Sequence, residues 1–224
     1  MSLPRDVLVN EVNKACSQWG FFLVTDHGVP LSLIQHLKEV GQEIFALPQE
    51  EKEVCANDPT SGRFEGYGTK MTKNRDEKIE WVEYFYHVIA PVSRVNYDLW
   101  PENPPYREVT EEYKREMVRM ANELLKLLSE GLGVGRKCLQ VWKDDKWAAS
   151  YLPDALFIHV GNRLQVLSNG KYESVFHRSL VDKEKMRMSW AMFITPPHEA
   201  VIGSVAKLLD DQNPPKYCTK TFFE

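Results

Sequence analysis

Residues 168–197, SNGKYESVFHRSLVDKEKMRMSWAMFITPP, constrain the fold more than any other stretch. Ser168-Asn169-Gly170 is turn chemistry, because Asn and Gly tolerate positive φ. Val175 to Val181 alternates and is rich in β-formers, Asp182 to Lys185 is a charged connection, and Arg187 to Thr195 reads as a second strand. Side chains two apart on a strand share a face. That rule puts Arg187, Ser189, Ala191 and Phe193 on one side, with Val175, His177 and Ser179 on one side of the neighbouring strand. A hairpin closing around 182–186 brings a His, an Arg and a Ser together inside one half-buried sheet. Taken singly, His177 and Arg187 read more readily as packed core residues.

Together they carry a resemblance. His177-Arg178, then Arg187-x-Ser189 ten residues on, after a Ser-Asn-Gly turn, resembles the plant 2-oxoglutarate and Fe(II)-dependent dioxygenases. The resemblance implies that His177 is an iron ligand. It also implies that Arg187 and Ser189 hold the distal carboxylate of 2-oxoglutarate, with ascorbate as helper. The chemistry suits those roles. Imidazole fits a two-His-one-carboxylate Fe(II) site, and a guanidinium matches a carboxylate bidentately.

Composition narrows the remaining classes. At 224 residues, 43% hydrophobic and 11% aromatic, the chain can bury a core. A net charge of −4 offers no nucleic-acid surface. No apolar run approaches the ~18 residues of a membrane span, and the start has no secretory pattern. Cys16, Cys55, Cys138 and Cys218 are scattered. They read as reduced thiols of a cytoplasmic protein rather than as a disulfide framework.

Along the chain, residues 6–18 read as a helix with Leu8, Val12, Ala15, Cys16 and Trp19 on one stripe, stopped by Gly20. Phe21 to Thr25 is a short strand, 31–46 an amphipathic helix, and Pro48 opens a short helix over 49–54. Residues 57–79 read as a solvated loop or hairpin. Trp81 to Ile89 is an aromatic β-type run. Thr110 is a plausible N-cap for a helix over 110–130, which Gly131 and Gly133 stop. Strands are expected near 139–142, 156–160, 164–168, 174–181 and 187–195.

The run WGFFLVTDHGVP resembles the N-terminal domain of the same dioxygenases, where the His matching His27 is structural. FEGYGTK, WVEYFYH and NYDLWPENPPYREV resemble flavonol synthase and its flavonol-synthase-like relatives. That likeness implies a flavonoid-type substrate touched by Tyr84, Tyr86 and Phe193, although simple packing explains the two tyrosines equally well. It also implies a mixed α/β (α+β) fold, an incomplete double-stranded β-helix (jelly roll, isopenicillin N synthase-like) with flanking helices. Residues 1–109 would form the N-terminal dioxygenase-type domain, and 110–224 the long helix and a truncated jelly roll.

One family element is missing. The family carries an H-x-D segment, the source of the other two iron ligands, between the long helix and a G-L-Q-V strand. Here Gly135-Arg136-Lys137 leads straight to Cys138-Leu139-Gln140-Val141. The six histidines are followed two residues on by Val29, Lys38, Ile89, Gly161, Ser179 and Ala200, none of them acidic. Asp154 sits in a Pro-Asp turn signal and is expected at the rim. Asn162 stands where relatives often carry Asp, and Thr195 where flavonol synthases commonly carry a Glu that bonds the flavonoid. The expectation is therefore a flavonol-synthase-like oxygenase that is catalytically dead or strongly impaired. No residue is assigned a catalytic role. The alternative is a non-catalytic interaction or regulatory protein that uses the sheet edge exposed by the deletion.

Overall fold

A computed structural model describes residues 3–58, 60, 64–69, 82–134, 155–175, 177, 188–197 and 199–222. The chain forms two compact units, residues 29–119 and residues 1–28 with 120–224.

In the second of these, α1 (Arg5–Gln18) buries Val12 and Cys16. Leu8 and Trp19 do not extend that buried stripe, and Trp19 is 63% exposed. Trp19 caps the helix C-terminus, and the chain turns at Gly20 (φ 67°). A left-handed turn there needs glycine, and a Cβ would lie 2.4 Å from the Glu173 carbonyl oxygen. β1 (Phe21–Val24) then pairs antiparallel with β4 (Leu156–His159), Phe22 opposite Ile158. β4 fulfils the strand expected near 156–160.

The other unit is built on α2 (Leu31–Ala46), whose Leu33, Leu37, Val40 and Ile44 are buried. Pro48 precedes α3 (Gln49–Val54), as read from the sequence. β2 (Gly66–Gly68) pairs antiparallel with β3 (Tyr84–Tyr86). Only those three residues of the aromatic run are strand among the described residues. Lys52 is buried and satisfied, donating to Glu83 Oε1 at 3.0 Å and to the Phe45 carbonyl at 3.3 Å.

The long helix α4 (Tyr106–Gly131) starts four residues before Thr110. Thr110 is buried inside it rather than capping it. The Pro104-Pro105 pair is the real start signal: proline presets helical φ and loses no needed N–H in the first turn. The apolar face runs through Val109, Tyr113, Met117, Met120, Leu124 and Leu128.

Two further expectations need correction. Residues 164–168 are not a strand; α5 (Asn162–Leu167) occupies them. The apolar run is short enough to fit either period. What decides is the end of the run, where Asn169 (φ 53°) and Gly170 (φ 76°) take the left-handed conformation that closes a helix. The described parts of the expected hairpin, 174–175, 177 and 188–195, hold no continuous strand, only a one-residue bridge at Ile194. The local backbone bonds elsewhere: Glu173 N–H donates to the Cys16 carbonyl at 3.0 Å and Ser174 N–H to Gln165 Oε1 at 2.6 Å. The strand expected at 139–142, together with 178–187 and Cys138, lies outside the described residues. β5 (Val201–Ile202) and β6 (Lys220–Thr221) form a third antiparallel pair.

Asn169 is more than a turn residue. It is 2% exposed, and both ends of its amide are satisfied. Nδ2 donates to Asn213 Oδ1 at 3.2 Å and to the Pro214 carbonyl at 3.1 Å. Oδ1 accepts from Ser204 Oγ and from Lys216 N–H, both at 2.9 Å. Cys16 and Cys55 are buried free thiols and Cys218 is an exposed one. No described helix is long and apolar enough to cross a membrane.

Candidate functional site

A cavity of about 370 Å³ lies within the unit formed by residues 1–28 and 120–224. That size suits a small ligand. One wall is the α4 face carrying Leu124 and Leu128; another is the β1–β4 ladder with Phe22 and Ile158. His177, Phe193, Thr195 and Arg163 complete the lining used below.

His177 is exposed at this cavity. Its Nδ1 lies 3.3 Å from the Val175 carbonyl oxygen, an atom that can only accept. A hydrogen bond there puts the proton on Nδ1 and leaves the Nε2 lone pair for another partner. The ring stacks on His159, with centroids 4.1 Å apart and planes at 27°. His159 is buried, and its ring also meets Phe157 at 4.5 Å. Sequence reasoning examined His159 only for a following acid. The pairing of His159 with His177 depends on tertiary placement and had no local signal.

The other expected site residues fall in different places. Phe193 lines the cavity with His177. Ser189 is exposed and is not among the lining residues. Arg187 lies outside the described residues. Tyr84 and Tyr86 belong to the other compact unit. Tyr84 is buried there and accepts from Asn57 Nδ2 at 2.6 Å, and burial pushes its phenol pKa upward. Tyr86 is half-buried.

Cys16 also faces the cavity, and burial pushes its thiol up to about 12, so it stays protonated and behaves as an apolar wall. Arg163 went unnoticed in the sequence, since an isolated arginine in a short apolar run carries no pattern. Its Nη2 donates to the Phe222 carbonyl at 2.8 Å, and its guanidinium sits 4.7 Å from the Phe222 ring centroid.

A three-ligand metal site of His and carboxylate does not fit the residues described. No group of three or more His, Cys, Asp or Glu side chains converges among them, and no histidine of the chain has an acid two residues on.

Two family models match the chain. One is described as non-haem dioxygenase in morphine synthesis N-terminal and covers residues 2–103. The other is the 2OG-Fe(II) oxygenase superfamily, over residues 91–196. Flavonol synthase 1 of Crocosmia x crocosmiiflora is 37% identical, across 97% of this chain and 81% of its own length. Flavonol synthase/flavanone 3-hydroxylase of Arabidopsis thaliana is 39% identical, across 92% of this chain and 77% of its own length. Leucoanthocyanidin dioxygenase of Perilla frutescens is 34% identical, across 95% and 74%. The Crocosmia alignment spans 270 positions, more than the 224 residues of this chain, so part of that relative has no counterpart here. Among solved structures, JOX2 in complex with 2OG, Fe, and JA superposes with a TM-score of 0.86 at 27% identity, covering 97% of this chain and 80% of that one. A putative 2OG-Fe(II) oxygenase family protein from Caulobacter crescentus, at 16% identity and a TM-score of 0.76, covers 97% of this chain and 91% of its own and shows the shared fold alone. The chain belongs to the 2OG-Fe(II) oxygenase superfamily, whose cofactors are Fe(II) and 2-oxoglutarate, and it has that family's jelly-roll fold of mixed helix and sheet.

Proposed function

We propose that this chain is a flavonol-synthase-like relative whose iron-dependent oxidation of a flavonoid-type or other plant secondary metabolite is abolished or strongly impaired. The observation that carries this reading is the absence of any His-x-Asp or His-x-Glu in the whole sequence. A relative aligned over more positions than the chain has residues supports an internal deletion. His177 keeps the position of the family's last iron ligand, and Arg187 and Ser189 those of the distal-carboxylate clamp. Tyr84, Tyr86 and Phe193 match positions that face a flavonoid. The division into 1–109 and 110–224 follows the family's domain plan. The free thiols of Cys16, Cys55 and Cys218 suit the cytoplasm.

One imidazole cannot hold Fe(II) against water and cellular competitors. The test is succinate release from 2-oxoglutarate with excess Fe(II), ascorbate and a dihydroflavonol. None above the protein-free rate is expected. Calorimetry should also give a 2-oxoglutarate affinity indifferent to Fe(II). Stoichiometric succinate that disappears in His177→Ala overturns the proposal.

A further inference from the structure

Arg163 is a cation at an apolar cavity with no acid to balance it. Leu124, Leu128, Ile158, Phe22 and Phe193 supply apolar surface, and no Asp or Glu is among the lining residues. None of the ion pairs among the described residues includes Arg163. Its described partners are the Phe222 carbonyl, at 2.8 Å, and the Phe222 ring. A guanidinium has five N–H donors, so a single carbonyl leaves most of them to water or to a ligand. Charges that leave bulk water are normally paired, and arginine's planar fork matches a carboxylate.

The element that carries Arg163 is held in place. Gln165, two residues on, donates from Nε2 to Tyr217 Oη at 3.0 Å and accepts from Ser174 N–H at 2.6 Å. Asn169 anchors the far end of α5 through its four hydrogen bonds. A cation on so constrained a helix presents its donors in a set direction, which is what ligand recognition requires. We propose that this cavity binds an apolar small molecule bearing one carboxylate, with Arg163 as the residue that reads the charge. This deepens the functional reading by naming the ligand's charge. It rests on the cavity being the ligand site and not on iron.

The test uses the full chain without metal and a matched pair of probes, 4-phenylbutyrate and 4-phenylbutyramide, titrated by calorimetry. The carboxylate should bind about tenfold more tightly, the scale of one charge-assisted hydrogen bond. Arg163→Gln should reduce its affinity to that of the amide, and Arg163→Lys should keep part of the preference. Arg187→Gln should leave the preference intact, which separates this site from a cosubstrate clamp. Should Arg163→Gln not fold, added salt should weaken the carboxylate but not the amide in the unaltered chain. Equal affinities, no binding of either probe, insensitivity to salt, a preference that survives Arg163→Gln, or one lost in Arg187→Gln overturns the proposal. Succinate release is not read in this experiment, so its failure is distinct from failure of the impaired-oxygenase reading.

Discussion

The backbones of Gly20 and Glu173 meet: a single carbon added to Gly20 would lie 2.4 Å from the Glu173 carbonyl oxygen. The contact brings the turn after α1 against the segment that leads through Ser174 to His177. Gly20→Ala combines an unfavourable positive φ with a backbone overlap. It should cost roughly 2–4 kcal/mol in urea unfolding. A loss below about 0.5 kcal/mol, the scale of a neutral surface change, would show that the contact relaxes freely.

Asn169 should be the most sensitive polar residue of the C-terminal region. Asn169→Gly keeps the left-handed backbone available but removes all four side-chain hydrogen bonds. Because buried partners are left unsatisfied, a loss of roughly 2–4 kcal/mol is expected by the same measurement. Asn169→Asp keeps the acceptor and loses the donor, so it should also destabilise at neutral pH.

His87 predicts a pH dependence. Both ring nitrogens are buried without a hydrogen-bond partner. The ring packs against Phe85, Trp100 and Tyr106, with centroids 5.8, 5.1 and 5.4 Å away. Burial pulls its pKa from 6.5 down to about 4. Between those values the unfolded chain binds more protons, so stability falls as pH drops through that window and levels off below it. The ceiling of this contribution is about 3 kcal/mol. Unfolding midpoints between pH 7 and pH 4 should show the slope, and His87→Phe should flatten it.

Tyr172, fully buried, donates its hydroxyl to the Leu128 carbonyl at 3.0 Å. Tyr172→Phe removes that bond without changing the ring. About 1 kcal/mol should be lost, and no more than about 3 kcal/mol even if the carbonyl stays unsatisfied.

The elements that sequence made legible are those whose signals are local. α1, α2, α3 and β1 each join an apolar pattern to a punctuating Gly or Pro, and they lie within a residue or two of the expected limits. α4 was legible in its stripe but not in its start, because Thr110 outweighed the prolines. Residues 164–168 were misread since Leu-Gln-Val-Leu fits a strand and a helical turn alike, and the deciding left-handed Asn169 lies outside that run. For the candidate site, His177 and Phe193 lie at one cavity, as their strand spacing suggested. His159 and Arg163 were invisible because stacking and an uncompensated charge arise only after distant segments pack.

The pairing of β1 with β4 also sets an order of assembly during synthesis. β1 emerges from the ribosome with its partner strand, Leu156–His159, still more than half a chain away. Residues 29–119 include every segment of their own compact unit and can collapse first. The amino-terminal twenty-eight residues must wait unpaired throughout, and such long-range pairing is the slow kind. A ribosome stalled before β4 should leave the Phe21–Val24 segment open to chaperones and proteases.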